Sequence, residues 1–88
     1  MTQWQLEYDR HVVRWLRKTD PQIARRIRDA LTAVVQTGDP RIRGKALSGS
    51  LAGLWRYRIG DYRVICDIYD DRLVVLVIEI GNRDHISD

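Results

Sequence analysis

The sequence predicts an α+β domain: a strand, two helices and a three-stranded antiparallel meander, with the helix pair packed on one face of the sheet. Three observations predict it. An alternating apolar–polar segment opens the chain, two helix-start signals follow it, and three strand-like runs separated by two short turns close it. With 88 residues and 10.3 kDa, the chain is expected to form one domain over 1–88, because two would each be too small to bury an adequate core.

Trp4-Gln5-Leu6-Glu7-Tyr8 alternates and reads as a half-buried strand. Asp9 is placed to cap a helix over roughly 10–18, with Val12, Val13, Trp15 and Leu16 as its apolar side. Asp20-Pro21 is a stronger signal, an acidic cap followed by proline at the first helical position. Ile23, Ile27, Ala30, Leu31, Val34 and Val35 then recur at helical spacing, and Gly38 is suited to end that helix. The helix pair therefore covers about 10–37, with Arg25, Arg26 and Arg28 expected on its solvated side. Residues 39–53, with Pro40, Gly44, Gly49 and Gly53, read as a loop carrying Arg41, Arg43 and Lys45. A structureless loop of that length is uncommon in a compact domain and often functional.

The meander spans 54–80. Leu54 to Ile59 is a strand, Gly60-Asp61 a two-residue hairpin loop of the glycine-first kind, and Tyr62 to Tyr69 the returning strand. Asp70-Asp71 turns the chain again into a third strand, Arg72 to Ile80. Leu73 to Ile78 is apolar on both faces, which predicts a central strand covered on both sides. It is also the longest apolar run, so no membrane-spanning helix is expected. The N-terminus lacks a secretory pattern, and the single cysteine, Cys66, excludes an internal disulfide and fits a reducing cytoplasm. Two histidines and one cysteine, far apart in sequence, supply no metal-ligand spacing, so no metal and no cofactor are expected.

The charge is uneven. Residues 41–63 carry six basic side chains against Asp61 alone, whereas residues 64–88 carry two basic against six acidic. A localised basic segment suggests a polyanion partner with a defined docking face. Thirteen of the fifteen basic residues are arginine, whose planar fork suits phosphate. Alternation puts Arg56 and Arg58 on one strand face and Trp55, Tyr57 and Ile59 on the other, toward the core. If Gly60-Asp61 is the loop, Arg58 stands opposite Arg63, and like charges so placed destabilise a sheet. Folding gains nothing from such a cluster, and a phosphate-binding site does. For any one arginine taken alone, a solvated and screened side chain is the better reading, and whether Glu79 neutralises Arg63 depends on the length of the second turn. His11 is expected on the helix surface, Cys66, Trp4, Trp15 and Trp55 in the core, and Asp70 and Asp71 in a turn.

An L-x-G turn followed by LWRYRIGDYRVICDI (54–68) and DDRLVVLVIEIGNR (70–83) resembles the RelE family of toxins from type II toxin–antitoxin pairs, within the wider RelE/ParE superfamily. The resemblance covers nearly the whole chain. It implies a small cytoplasmic endoribonuclease that needs no metal, enters the ribosomal 30S A site, cuts the mRNA there and is silenced by a bound antitoxin. It assigns Arg56 and Arg58 to holding the mRNA backbone, Arg63 to the charge developing on the scissile phosphate, and Arg83 to phosphate contact and the leaving group. Lys45 falls in a basic loop, with Arg41 and Arg43, that relatives turn toward ribosomal RNA. The implied reaction is attack of a ribose 2′-hydroxyl on the adjacent phosphate, so the nucleophile belongs to the substrate. Arginine is a poor proton carrier because its pKa stays above about 12, so a separate base is required.

The short catalytic tail, 81–88, departs from the family. Ser87 stands where relatives often place a tyrosine. Two readings follow: His85 serves as the base, its unperturbed pKa of about 6.5 suiting the task, or the protein is weakened, naturally or by a Tyr-to-Ser change. Two alternatives to an active ribonuclease are a ParE-like gyrase inhibitor and a degraded toxin that only binds antitoxin or ribosome.

Overall fold

A computed structural model describes residues 3–82. Strand β1 is Gln5–Tyr8, helix α1 Arg10–Lys18, helix α2 Pro21–Gln36, strand β2 Lys45–Ala46, strand β3 Trp55–Ile59, strand β4 Tyr62–Tyr69 and strand β5 Val74–Asn82. A single 3-10 turn covers Gly49–Leu51.

Both helix starts form as their sequences require. The Asp9 carboxylate accepts from the His11 backbone N–H at 3.3 Å, and that of Asp20 from Gln22 at 2.8 Å, which satisfies amides the helices themselves leave open. At the far end of α2, Thr37 donates its hydroxyl to the Val34 carbonyl at 2.6 Å, and Gly38 takes a φ of 83°. Val12 and Leu16 of α1 and Ala24, Ile27, Leu31, Val34 and Val35 of α2 are buried against Tyr57, Ile59, Val64, Cys66, Val75, Val77 and Ile80 of the sheet. Burying each large aliphatic side chain contributes about 1.5–3 kcal/mol. Trp15 and Trp55 pack at the margin of this core, Trp15 edge-on to Tyr62 at 5.6 Å between centroids.

The five strands lie in the order β1-β5-β4-β3-β2. β1 runs parallel to β5, with Gln5 opposite Val74 and Tyr8 opposite Val77. All other pairs are antiparallel. The Gly60-Asp61 hairpin forms in the expected register, Ile59 opposite Tyr62 and Arg58 opposite Arg63. Gly60, at φ 59°, supplies the left-handed residue the tight turn needs.

Three expectations change. Residues 39–53 are not a bare loop: Lys45 and Ala46 pair with Arg56 and Trp55, adding a short edge strand. The turn after β4 is longer than Asp70-Asp71, since Tyr69 pairs with Val74 and residues 70–73 lie between them, with Leu73 at φ 55°. β5 is interior to the sheet, but the described helices cover one of its faces only. Val75, Val77 and Ile80 are buried, while Val74, Leu76 and Ile78 remain partly exposed on the other face.

That spacing of buried residues is itself irregular. Val64 pairs with Ile80 and Cys66 with Val77, so partners that stand two apart on β4 stand three apart on β5. A bulge at Ile65/Cys66 absorbs the extra residue. It keeps Ile80 in the core and turns both Ile78 and Glu79 toward the open face.

Candidate functional site

The open face opposite the helices carries the cationic cluster. Lys45, Arg56, Ile65 and Glu79 form one row across β2, β3, β4 and β5, and Arg58, Arg63 and Gly81 form the next. Directly paired residues share a face, with Cβ atoms about 4.5–5.5 Å apart. Lys45, Arg56, Arg58 and Arg63 are therefore gathered on one patch. Arg58 and Lys45 are exposed, and Arg56 and Arg63 half-buried with their Nε atoms shielded from water. Partial burial, followed by repulsion from Arg63 and Arg58, pulls the Arg56 guanidinium below its ordinary pKa. Gly44, Lys45, Arg56 and Arg58 line a shallow basic hollow, and a second, formed by Lys45, Ala46, Leu47, Ser48 and Arg56, adjoins it.

The chain reaches this arrangement through Gly44. It adopts φ 83°, and a Cβ there would lie 2.3 Å from the Arg56 carbonyl oxygen and 2.6 Å from Trp55 Nε1. Only glycine permits the incoming segment to press so closely on β3 and deliver Lys45 beside Arg56. The same segment is tied down by side chains. Trp55 Nε1 donates to the Arg43 carbonyl at 2.7 Å, and the Tyr57 hydroxyl to that of Pro40.

The residues expected to contact RNA do not all join the patch. Arg41 makes a two-pronged ion pair with Asp70, at 2.8 and 2.9 Å, and its guanidinium lies 6.0 Å from the centre of the Trp55 ring. Trp55 belongs to the helix-covered face, so Arg41 is directed away from Arg56, Arg58 and Arg63. Arg43 is exposed and contributes its carbonyl to the Trp55 bond, and Ile42 between them is 63% exposed. Arg83, His85 and Ser87 lie outside the described residues.

Asp70 and Arg26 have places the sequence reading did not give them, whereas His11 and Cys66 lie where it put them. Asp70, expected only as a turn residue, fastens the β4–β5 turn to the loop before β2. Arg26, expected in solvent, lies with its guanidinium 3.2 Å from where a Gly60 Cβ would project, against the hairpin tip. His11 is exposed and pairs through Nδ1 with Asp9 at 2.7 Å, and that hydrogen bond raises its pKa. Cys66 is fully buried and burial pushes its thiol pKa up, which suits a core residue and not a nucleophile. Among the described residues, no three His, Cys, Asp or Glu side chains are grouped to hold a metal ion, and no helix is long and apolar enough to cross a membrane.

Fold and face together define a small α+β domain with one helix-covered side and one cationic open side. Residues 6–86 match the family described as ParE toxin of type II toxin–antitoxin system, and the chain belongs to that family, within the RelE/ParE superfamily of toxins. Its fold is that of RelE structures. It is 25% identical to a chain of the toxin–antitoxin complex RelBE2 from Mycobacterium tuberculosis, with a TM-score of 0.81, 91% of this chain and 98% of that one covered. It is similar in fold to the isolated RelE toxin of E. coli (23% identity, 90% and 83% covered, TM-score 0.73). It is likewise similar in fold to a chain of the archaeal RelE–RelB complex from Pyrococcus horikoshii OT3 (24% identity, 98% and 100% covered, TM-score 0.72). No curated protein sequence matches it. The chain is thus a toxin of a type II toxin–antitoxin system.

Proposed function

We propose that this toxin is a ribosome-dependent endoribonuclease that cuts mRNA in the 30S A site and is silenced in the cytoplasm by a cognate antitoxin. The observation that carries the reading is the opposed pair Arg58 and Arg63, joined by Arg56 and Lys45 on a face no described element covers. Such a cluster opposes folding and favours a phosphate. The RelBE2 and RelE–RelB structures are complexes of relatives with their antitoxins, which supports an antitoxin here. Leu76 and Ile78, partly exposed on the same face, suit a partner segment that carries both acidic and apolar residues.

In this reading Arg56 and Lys45 hold the mRNA backbone, while Arg58 and Arg63 bracket the scissile phosphate and stabilise the added negative charge as the 2′-hydroxyl attacks. Removing one such preorganised donor typically lowers kcat by about 10²–10³-fold. By the family resemblance Arg83 assists at the leaving oxygen.

The test is purified protein with ribosomes translating a defined message. Cuts within the A-site codon, with little cutting of naked RNA, support the reading. The family model is named for ParE, and this favours a second reading as a gyrase inhibitor. DNA breaks with A-site mRNA left intact would establish that one. Comparison with Ser87→Tyr separates both from a binder: if neither version cuts mRNA or arrests growth, the toxin only occupies its partner.

A further inference from the structure

The helix pair is as basic as the open face. Residues 10–28 hold seven basic side chains, six of them arginine, against Asp20 alone. Segment 41–63, which supplies the charge of the open face, holds six against Asp61. Arg10, Arg14, Arg17 and Lys18 recur at i, i+4, i+7 and i+8, so they share one side of α1, and all four are exposed. Val12 and Leu16 take the opposite side and are buried on the sheet. Arg25 and Arg28 of α2 meet Arg17 at a hollow between the two helices, floored by Leu16 and Ala24 and bordered by Asp29.

Helix stability does not account for all of these cations. Arg17 and Lys18 suit the last turn of α1, where the helix dipole is negative. Arg10 stands at the first position, where the dipole disfavours a cation, and Arg14 is an i, i+4 neighbour of both Arg10 and Lys18. Asp29 is spaced to pair with Arg25, yet among the described residues neither it nor Arg17, Arg25 or Arg28 forms an ion pair. A protein partner would need apolar surface to bury at the centre of its contact. Among the described residues, Ile42 is the large apolar side chain that is strongly exposed, and it lies in the loop before β2. A nucleic-acid backbone needs only fixed positive charge, which the helix side supplies.

We propose that the outer side of the α1–α2 pair is a second RNA-binding surface, where Arg17, Arg25 and Arg28 seat a backbone phosphate of structured ribosomal RNA and the α1 row follows the same strand. This rests on the endoribonuclease reading above. The open face then holds the mRNA to be cut, and the opposite side of the domain grips the RNA around it. Arginine's planar fork suits phosphate, and its charge does not change at any working pH. The hydrophobic core lies between the two patches, so each can be altered with the other left in place. The work divides accordingly: the open face sets kcat, and the helix side sets affinity for the ribosome.

The test compares the toxin with an Arg17→Gln/Arg25→Gln/Arg28→Gln triple variant, its three single variants and the matching triple lysine variant. Binding, KM and kcat are measured on ribosomes stalled with a defined A-site codon, from about 50 to 200 mM salt. Glutamine is a good helix former, and thermal unfolding checks that each variant is folded. Each phosphate contact adds about 0.7–0.9 to the slope of log affinity against log salt. The triple glutamine variant should lose about two units of that slope and bind about tenfold or more weakly, with kcat within about twofold. Each single variant should lose about one unit. The triple lysine variant keeps the charge and should keep most of the slope. Arg72→Gln removes one charge from the β4–β5 turn and should leave the slope unchanged. A slope that falls as far in Arg72→Gln as in Arg28→Gln reflects net charge alone and overturns the proposal. Ribosome binding and salt slope that match in the parent and the triple glutamine variant also overturn it, as does a loss confined to antitoxin or duplex DNA binding. If the unaltered toxin cuts and any of these results is found, only this proposal fails. If the unaltered toxin neither binds ribosomes nor cuts their mRNA, both it and the endoribonuclease reading fail.

Discussion

Arg58 is the clearest place to separate what helps this domain fold from what helps it act. It is exposed, stands directly opposite Arg63, and is two residues from Arg56 on the same face. A like-charged pair placed directly across a sheet destabilises by about 0.2–1 kcal/mol. Coulomb's law gives a similar figure, about 0.6 kcal/mol for unit charges ~7 Å apart in water. Arg56 adds a weaker contribution, so Arg58→Gln should stabilise the domain by about 0.5–1 kcal/mol. In a domain of this size that raises Tm by about 2–8 °C. Glutamine keeps much of the aliphatic stem, so packing changes little. Salt distinguishes this account from any other source of stability. With a Debye length of about 30 Å at 0.01 M and 3 Å at 1 M, the parent should gain stability as salt rises, and Arg58→Gln should gain less. Arg58→Lys keeps the charge and should keep the parent's salt dependence. The assay is thermal and urea unfolding at low and high salt, run beside A-site cleavage. Cleavage should fall by about 10²–10³-fold in Arg58→Gln as stability rises. An Arg58→Gln protein that is less stable than the parent, with unchanged salt dependence, would refute the claim that the cluster opposes folding.

Gly44→Ala should destabilise by about 2 kcal/mol or more, since it imposes a left-handed backbone on alanine and drives a methyl group into the Arg56 carbonyl; urea unfolding measures it, and a near-neutral change would show that the loop repacks freely. The Arg41–Asp70 pair makes a pH prediction. Its hydrogen bond from Arg41 holds the Asp70 carboxyl below the usual range, so the pair's stabilisation is present above the unfolded carboxyl pKa of about 4 and is lost as pH falls through the lower folded value. Asp70→Asn should therefore be less stable than the parent at pH 7 and equal to it near pH 2, with faster amide exchange in the loop around Ile42; a difference that persists at low pH would assign the loss to packing instead.

The hairpin was legible because its determinants are local. A glycine-first two-residue loop sets the register by counting, and alternation then fixes which side chains share a face, so Arg56, Arg58 and Arg63 converge as expected. The helix starts at Asp9 and Asp20-Pro21 were legible for the same reason, a cap acting on amides two residues away. Lys45 joins the patch through a strand of only two residues, too short to show a period. Arg41 looked equivalent to Arg43 and Lys45, because a basic residue in a loop carries no sign of which partner it will find. Asp70 is 29 residues away from it in sequence.

The sequence by itself determined the class of domain, the order of its main elements and the local pairing that brings three arginines together, because hydrophobic period, capping and turn chemistry all act within a few residues. Tertiary structure decided where the two edges of the sheet lie, that β1 joins β5 in parallel, and which basic residues face the same way. It also decided the side of Glu79. One extra residue between Val77 and Ile80 reverses the facing of everything after it, and only the pairing with Val64 and Cys66 shows where that residue is accommodated. Such pairing is set by burial across distant segments, a long-range balance that no short window of sequence contains.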